Sequence, residues 1–171
     1  MEIFIADKSS DAKELAEFFN ACLTPDYISH QELQGYRAVA PGVWAKDVLT
    51  VLEHEIRERL REPCSAFPPT GNWQGVIVAE EQETLIGLSL VTISRLSAIP
   101  YGIVEDIVIN SADRGHAKGD AMMRWIIEHF QRAGIKRIFL ESGITNERAH
   151  HFFERLGFKQ TSIVMILDAL D

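Results

Sequence analysis

A chain of 171 residues has the size of one ordinary domain, and 46% hydrophobic with 25% charged residues excludes a disordered or fibrous protein. A formal net charge of −8 argues against a nucleic-acid partner, which needs a basic face to meet phosphates. It suits a cationic small molecule or a basic peptide, although solubility alone also accounts for it.

No apolar run approaches the roughly 20 residues that cross a bilayer, so no membrane partner is expected. Met1 to Asp7 shows no basic stretch leading into a long apolar one. The two cysteines, Cys22 and Cys64, are far apart and lack a Cys-x-x-Cys partner. Together these features point to a reduced, cytoplasmic protein.

Residues 2–7 read as a short strand. Ser9 or Ser10 caps a helix with Leu15, Phe18, Phe19 and Cys22 on one face, and Thr24-Pro25 ends it. Residues 24–41 have no period and read as a loop. A longer helix runs from Gly42 to Glu62, with its stripe at Trp44, Val48, Val51, Leu52, Ile56 and Leu60, and Glu62-Pro63 stops it. Gln74 to Glu80 and Thr84 to Ser94 form a hairpin, and Gly102 to Asn110 adds a third strand.

A helix from Ala117 to Ala133, a strand from Arg137 to Glu141, a helix from Asn146 to Leu156 and an apolar strand over Ser162 to Leu167 complete the order. No repeat or linker divides the chain. The expectation is a single α/β domain over residues 1–171, a mixed, mostly antiparallel twisted sheet flanked by about four helices.

The chemistry concentrates where a strand runs through a loop into an amphipathic helix, Ile107-Val108-Ile109-Asn110-Ser111-Ala112-Asp113-Arg114-Gly115-His116-Ala117-Lys118-Gly119-Asp120. Unpaired N–H groups and the positive end of the helix dipole make an anion site there. Small residues at 115, 117 and 119 let a diphosphate approach the backbone, and Arg114 and Lys118 could add charge. An ordinary helix entrance explains the same residues equally well. The Gly-x-x-x-x-Gly-Lys-[Ser/Thr] loop is absent because Asp120 follows Gly119, and Gly-x-Gly-x-x-Gly is absent too.

Residues 101–158 resemble the GNAT superfamily of acyl-CoA-dependent N-acetyltransferases. Arg114-Gly115-His116-Ala117-Lys118-Gly119 is similar to that family's Arg/Gln-x-x-Gly-x-Gly/Ala core, with Ala117 where glycine is usual. Alanine is small and compatible with right-handed helical backbone, so the loop is expected to survive. Asn146-Glu147-Arg148-Ala149-His150-His151-Phe152-Phe153-Glu154-Arg155-Leu156-Gly157-Phe158 resembles its Asn-x-x-Ala-x-x-x-Tyr-Glu-Lys-Leu-Gly-Phe helix. The two motifs cover about a third of the chain, and one helix and one strand separate them.

The resemblance implies a GNAT-like fold and acetyl-CoA as acyl donor. Ile107, Val108 and Ile109 would pair with the pantetheine arm, and the N–H of Val108 would face the thioester oxygen. The diphosphate would sit on the amides of Gly115, His116, Ala117, Lys118, Gly119 and Asp120. Asn146 would touch the cofactor arm, cap its helix, or both.

An ammonium must lose a proton before it attacks. Glu105 is the expected base, in a Glu-Asp-φ-φ-φ run, sharing a sheet face with Ile107; Asp106 is the spare, on the opposite face. Phe153 stands where the family commonly carries a tyrosine that protonates the departing thiolate, and phenylalanine has no proton to give.

No histidine pair has metal-ligand spacing, so no metal is expected. His150 and His151 read as surface residues, while Trp73, Phe67, Tyr27, His30 and Tyr36 are candidate pocket members. The expected acceptor is a small primary amine: an amino acid, a polyamine or an amino sugar. A protein N-terminus or lysine, or a non-catalytic acyl-CoA sensor, are the alternatives. Dimers are common among similar proteins, so a homodimer is compatible with the reading.

Overall fold

The computed structural model describes residues 1–61 and 69–168. In chain order it contains β1 (Glu2–Ile5), α1 (Ala12–Cys22), a 3-10 turn (Pro25–Tyr27), α2 (His30–Gln34), β2 (Ala38–Ala40), β3 (Val43–Trp44) and α3 (Val48–Arg61). The hairpin strands β4 (Trp73–Glu81) and β5 (Thr84–Ser94) come next, then β6 (Tyr101–Ile109) and a second 3-10 turn (Ser111–Asp113). The chain continues through α4 (Lys118–Arg132), β7 (Arg137–Leu140) and α5 (Glu147–Arg155).

The main sheet has the order β1-β4-β5-β6-β7. All neighbours are antiparallel except β6 and β7, which α4 connects as the crossover a parallel pair requires.

Alternating side chains give the sheet two apolar faces. On one, Leu15 and Phe19 of α1 and Leu52 and Ile56 of α3 cover Val76, Val78, Leu88 and Leu90. On the other, Met122, Met123, Ile126 and Phe130 of α4 cover Ile77, Val91, Ile93 and Val104. The result is the expected α/β layering with a mostly antiparallel sheet, and with five helices among the described residues.

The helix beyond the expected four is α2, inside the segment 24–41 that reads as a loop. Ser29 and Glu32 close a reciprocal capping box there, two short-range bonds that offset the absence of a long apolar stripe. Asp11, rather than Ser9 or Ser10, caps α1: its carboxylate accepts the N–H of Lys13 at 2.8 Å, while the Ser9 hydroxyl is committed to Asp7 at 2.6 Å. The helix expected from Gly42 begins at Val48, because Gly42 turns with φ +76° and Val43–Trp44 pair with Ala38–Ala40.

The strand expected over Ser162 to Leu167 does not form. Residues 159–168 carry no regular structure, and the segment finds neither an edge to bond nor a face to bury. The helix stop at Glu62-Pro63, Cys64 and Phe67 lie outside the described residues; Cys22 is a buried free thiol. Among the described residues no helix is long and apolar enough to cross a membrane.

Candidate active site

Strand β6 pairs with β5 along its length, but with β7 only from Tyr101 to Val104. Beyond Val104 the two parallel strands part, and one side of the β6 backbone is left open. The N–H of Ile107 donates to the Tyr27 hydroxyl at 3.3 Å, and the carbonyl of Ile109 accepts from Arg114 Nε at 3.0 Å, so these residues face the opening. Backbone groups alternate along a strand, which turns Val108, in register with Leu88, toward β5. The expected thioester donor Val108 is therefore spent within the sheet, and Ile107 and Ile109 present their groups instead.

A β-bulge decides the placement of the two carboxylates. Leu90 stands opposite Asp106 and Val91 opposite Val104, so Glu105 is an inserted residue. The insertion turns Glu105 and Asp106 to the same face, the one covered by α1 and α3. Glu105 ion-pairs with Arg59 of α3 and accepts from the Thr92 hydroxyl. Asp106 meets Arg37 and Tyr27. Ile107 and Ile109 pack on the α4 face. Simple alternation had put Glu105 with Ile107 and Asp106 opposite; the extra residue moves Glu105 to the face of Asp106, which stays opposite Ile107.

Asp106 is 2% exposed, Glu32 2% and Arg37 6%. Arg37 donates through one nitrogen to both Asp106 oxygens, at 3.0 and 2.9 Å, and through Nε to Glu55 at 2.9 Å, with Glu32 3.6 Å away. Such an arrangement holds only if each buried charge has a partner. Burial pushes the Asp106 carboxyl up from its usual range, and Arg37 pulls the other way. Tyr27 donates to Asp106 at 2.9 Å; burial first, then the neighbouring Asp106 charge, raises its hydroxyl well above its ordinary pKa of 10, so it keeps its proton.

Past β6, Asn110 caps the 3-10 turn and the chain swings through Gly115 at φ +84° and Ala117 at φ +60° before α4 begins. Ala117 is left-handed, not right-handed as its helix propensity suggests, and occupies a conformation that glycine adopts without cost. From Gly115 to Asp120, six consecutive N–H groups donate to no other group among the described residues. They form an exposed run at the positive end of a 15-residue helix. Arg114 turns inward, from Ile109 to the Cys22 carbonyl at 3.3 Å. Lys118 bonds Asp113 at 2.6 Å and Glu81 at 2.8 Å, which hold its ammonium pKa above the usual value. His116 is exposed, and Asp120 faces Arg155 at 3.4 Å.

The family profile described as Acetyltransferase (GNAT) family matches residues 42–158. This chain belongs to the GNAT acetyltransferase family. It is an N-acetyltransferase, and GNAT enzymes use acetyl-CoA. A glucosamine 6-phosphate N-acetyltransferase of Trypanosoma brucei brucei is 25% identical over 145 residues, which are 84% of this chain and 89% of that protein. The fold is shared with an aminoglycoside antibiotic 6'-N-acetyltransferase of Acinetobacter haemolyticus, at 16% identity and TM-score 0.66 over 100% of both chains. It is shared also with a transcriptional regulator of Bacillus halodurans C-125, at 20% identity and TM-score 0.65 over 98% of this chain and 99% of that one.

The second motif of this GNAT acetyltransferase lies beside the same opening. Asn146 caps α5, accepting the N–H of Ala149 at 3.1 Å. Phe153 is buried against Phe152 and Phe158. His150, expected at the surface, bonds the Gly143 carbonyl at 3.0 Å through Nε2. A Cβ on Gly143 would stand 2.2 Å from the Asp26 carbonyl, so glycine is required where the β7–α5 loop closes onto the turn that carries Tyr27. His30 pairs with Glu141 across the same seam.

Trp73 is a core residue at 6% exposure rather than a pocket wall, and Tyr36 is exposed. Arg37, Glu55, Arg59 and Thr92 escaped the sequence reading. The capping box at Ser29 and Glu32 could have marked α2, but no local signal ties Arg37 to Asp106, 69 residues away. Among the described residues no group of His, Cys, Asp and Glu could hold a metal ion.

Proposed function

We propose that this acetyltransferase modifies the primary amine of a small molecule by direct attack, with an amino sugar preferred over an amino acid or a polyamine. Acetyl-CoA supplies a thioester carbonyl that an amine can attack. The residues present fit that donor: an open strand edge long enough for an extended amide-bearing arm lies next to six free amides suited to a diphosphate. Ile107 and Ile109 line the arm, and Gly115 to Asp120 hold the phosphates. Asn146 borders the same opening.

Glu105, fixed by Arg59 and Thr92, receives the proton that the ammonium must lose. Asp106 positions Tyr27 rather than taking that proton, since Arg37 and Tyr27 saturate it. The Tyr27 hydroxyl, its proton committed to Asp106, stands at the edge through Ile107, and the departing thiolate that Phe153 cannot protonate takes its proton from water. The amino-sugar preference draws on the glucosamine 6-phosphate relative and the aminoglycoside neighbour.

The opening of β6 beyond Val104, directly before the amide run, carries this reading. Calorimetry with coenzyme A and acetyl-CoA tests the donor site, and thiol release against a panel of amino sugars, amino acids, polyamines and peptides tests the acceptor. Heat on donor binding and thiol release with an amino sugar are expected. No heat at millimolar donor, or acetylation of peptides alone, would overturn it.

A further inference from the structure

Among the described residues no strand pairs with β6 on its β7 side beyond Val104, yet the backbone groups that face this opening are not bare. The N–H of Ile107 donates to the Tyr27 hydroxyl at 3.3 Å, and the carbonyl of Ile109 accepts from Arg114 Nε at 3.0 Å. Two residues along a strand span about 7 Å, so the two bonds lie at the spacing of an extended backbone. The Tyr27 oxygen stands where the carbonyl of a pairing strand would accept. The Arg114 N–H stands where the amide of that strand would donate.

Both side chains are held from the same place. Arg114 also donates to the carbonyl of Cys22, the last residue of α1, at 3.3 Å. Tyr27 closes the 3-10 turn that follows α1, with its ring 6.1 Å from that of Phe19 and 6.2 Å from that of Trp44. Its proton goes to Asp106 at 2.9 Å, and Arg37 holds both Asp106 oxygens. That direction leaves the lone pairs of the hydroxyl for Ile107. The turn itself is packed closely, since a Cβ on Gly143 would stand 2.2 Å from the Asp26 carbonyl and 2.7 Å from that of Ile28. Any exchange at the edge therefore falls to the side chains, while the backbone of the turn stays in place.

We propose that Tyr27 and Arg114 form a latch on the donor groove, which the amide-bearing arm of acetyl-CoA opens by taking their places on Ile107 and Ile109. The latch rests on the donor site proposed above. A carbonyl of the arm replaces the Tyr27 oxygen and an amide of the arm replaces Arg114 Nε, so the edge keeps its number of hydrogen bonds. The affinity of the arm is lowered by the bonds it breaks. A plain hydrocarbon chain offers neither group and cannot repay them. The two side chains thus act as specificity-determining residues, favouring an extended amide-bearing thioester.

Calorimetry on the full chain and on Tyr27→Phe tests the latch with three ligands. These are acetyl-CoA, the acetyl thioester of pantetheine, which carries the arm without phosphates, and ADP, which carries a diphosphate without the arm. The variant keeps the ring against Phe19 and Trp44 and loses only the hydroxyl. It is expected to bind acetyl-CoA and the pantetheine thioester about fivefold more tightly than wild type, and ADP equally. A folded variant that binds the two arm-bearing ligands no more tightly, or that gains equally for ADP, would overturn the latch while leaving the donor site standing. Acetyl-CoA that binds neither protein would remove both. Trp44, whose Nε1 donates to the Thr24 carbonyl at 3.3 Å, gives a second reading on wild type. The pantetheine thioester is expected to change its fluorescence as Tyr27 moves, and Trp44→Phe to abolish the change. A thioester that binds without any such change would also overturn the latch.

Discussion

On the α4 side of β6 the cleft is built of backbone: six amides from one unbroken run, Gly115 to Asp120, beside the groups of Ile107 and Ile109 that turn away from β5 toward Tyr27 and Arg114. On the α1–α3 side it is built of side-chain charge drawn from distant segments. Arg37 and Tyr27 come from the chain between α1 and α3, Glu55 and Arg59 from α3, Thr92 from β5, and Glu105 and Asp106 from the bulge. The first wall is indifferent to most side chains and depends on φ and ψ. The second fails when one partner is lost, because each buried charge relies on another. Substitutions should therefore separate the two walls by size and by kind of effect.

The largest effect is expected at Arg37. Arg37→Met leaves Asp106, Glu32 and Glu55 without their shared cation, and urea unfolding should show a loss of about 3–5 kcal/mol. A change below 1 kcal/mol would mean that the network is not a structural unit.

Next comes Glu105→Gln, which keeps the Thr92 contact and removes the proposed proton acceptor. Steady-state kinetics should show kcat reduced about a hundredfold at pH 7 and less at high pH, where the amine is already neutral. An equal loss at every pH would assign Glu105 to placement of Arg59 alone.

Tyr27→Phe sharpens the comparison from the edge of the cleft. A hydroxyl whose folded pKa lies above its unfolded value of 10 keeps its proton in the folded state while the unfolded chain ionises. Its contribution is complete below pH 10 and is lost as pH rises beyond that, by up to about 1.4 kcal/mol per pH unit. Wild type should thus lose stability relative to Tyr27→Phe between pH 10 and pH 11 in thermal melts, with the two curves parallel at pH 8.

The smallest effect belongs to the backbone wall. Ala117→Gly removes the cost of a left-handed alanine, less the entropy glycine adds to the unfolded chain, and should raise stability by about 0.5–1 kcal/mol. Destabilisation instead would show that Ala117 leaves the left-handed region in solution.

The contrast also explains which parts of the site could be read in advance. The loop into α4 was legible because the residues that shape it are consecutive: Gly115, Ala117 and Gly119 sit on the chain as they sit in the site. The hairpin and the crossover helix were legible from periodicity for the same reason. Glu105 and Asp106 were found as residues, but their faces were assigned by strict alternation. The bulge that shifts them depends on how β6 registers against β5. Arg37 had no local signature, since its partners lie 18 and 69 positions away.

By itself the sequence determined the β4–β5 hairpin, the crossover helix α4 with the strands on either side of it, and the two motifs that resemble those of an N-acetyltransferase. Each of these rests on interactions among neighbours within a few residues. The tertiary structure alone decided that β6 opens beyond Val104, that both carboxylates face α3, and that Ser162 to Leu167 finds no edge within one chain. Register, bulges and strand partners are collective outcomes of packing between distant segments, so no short window of residues contains them.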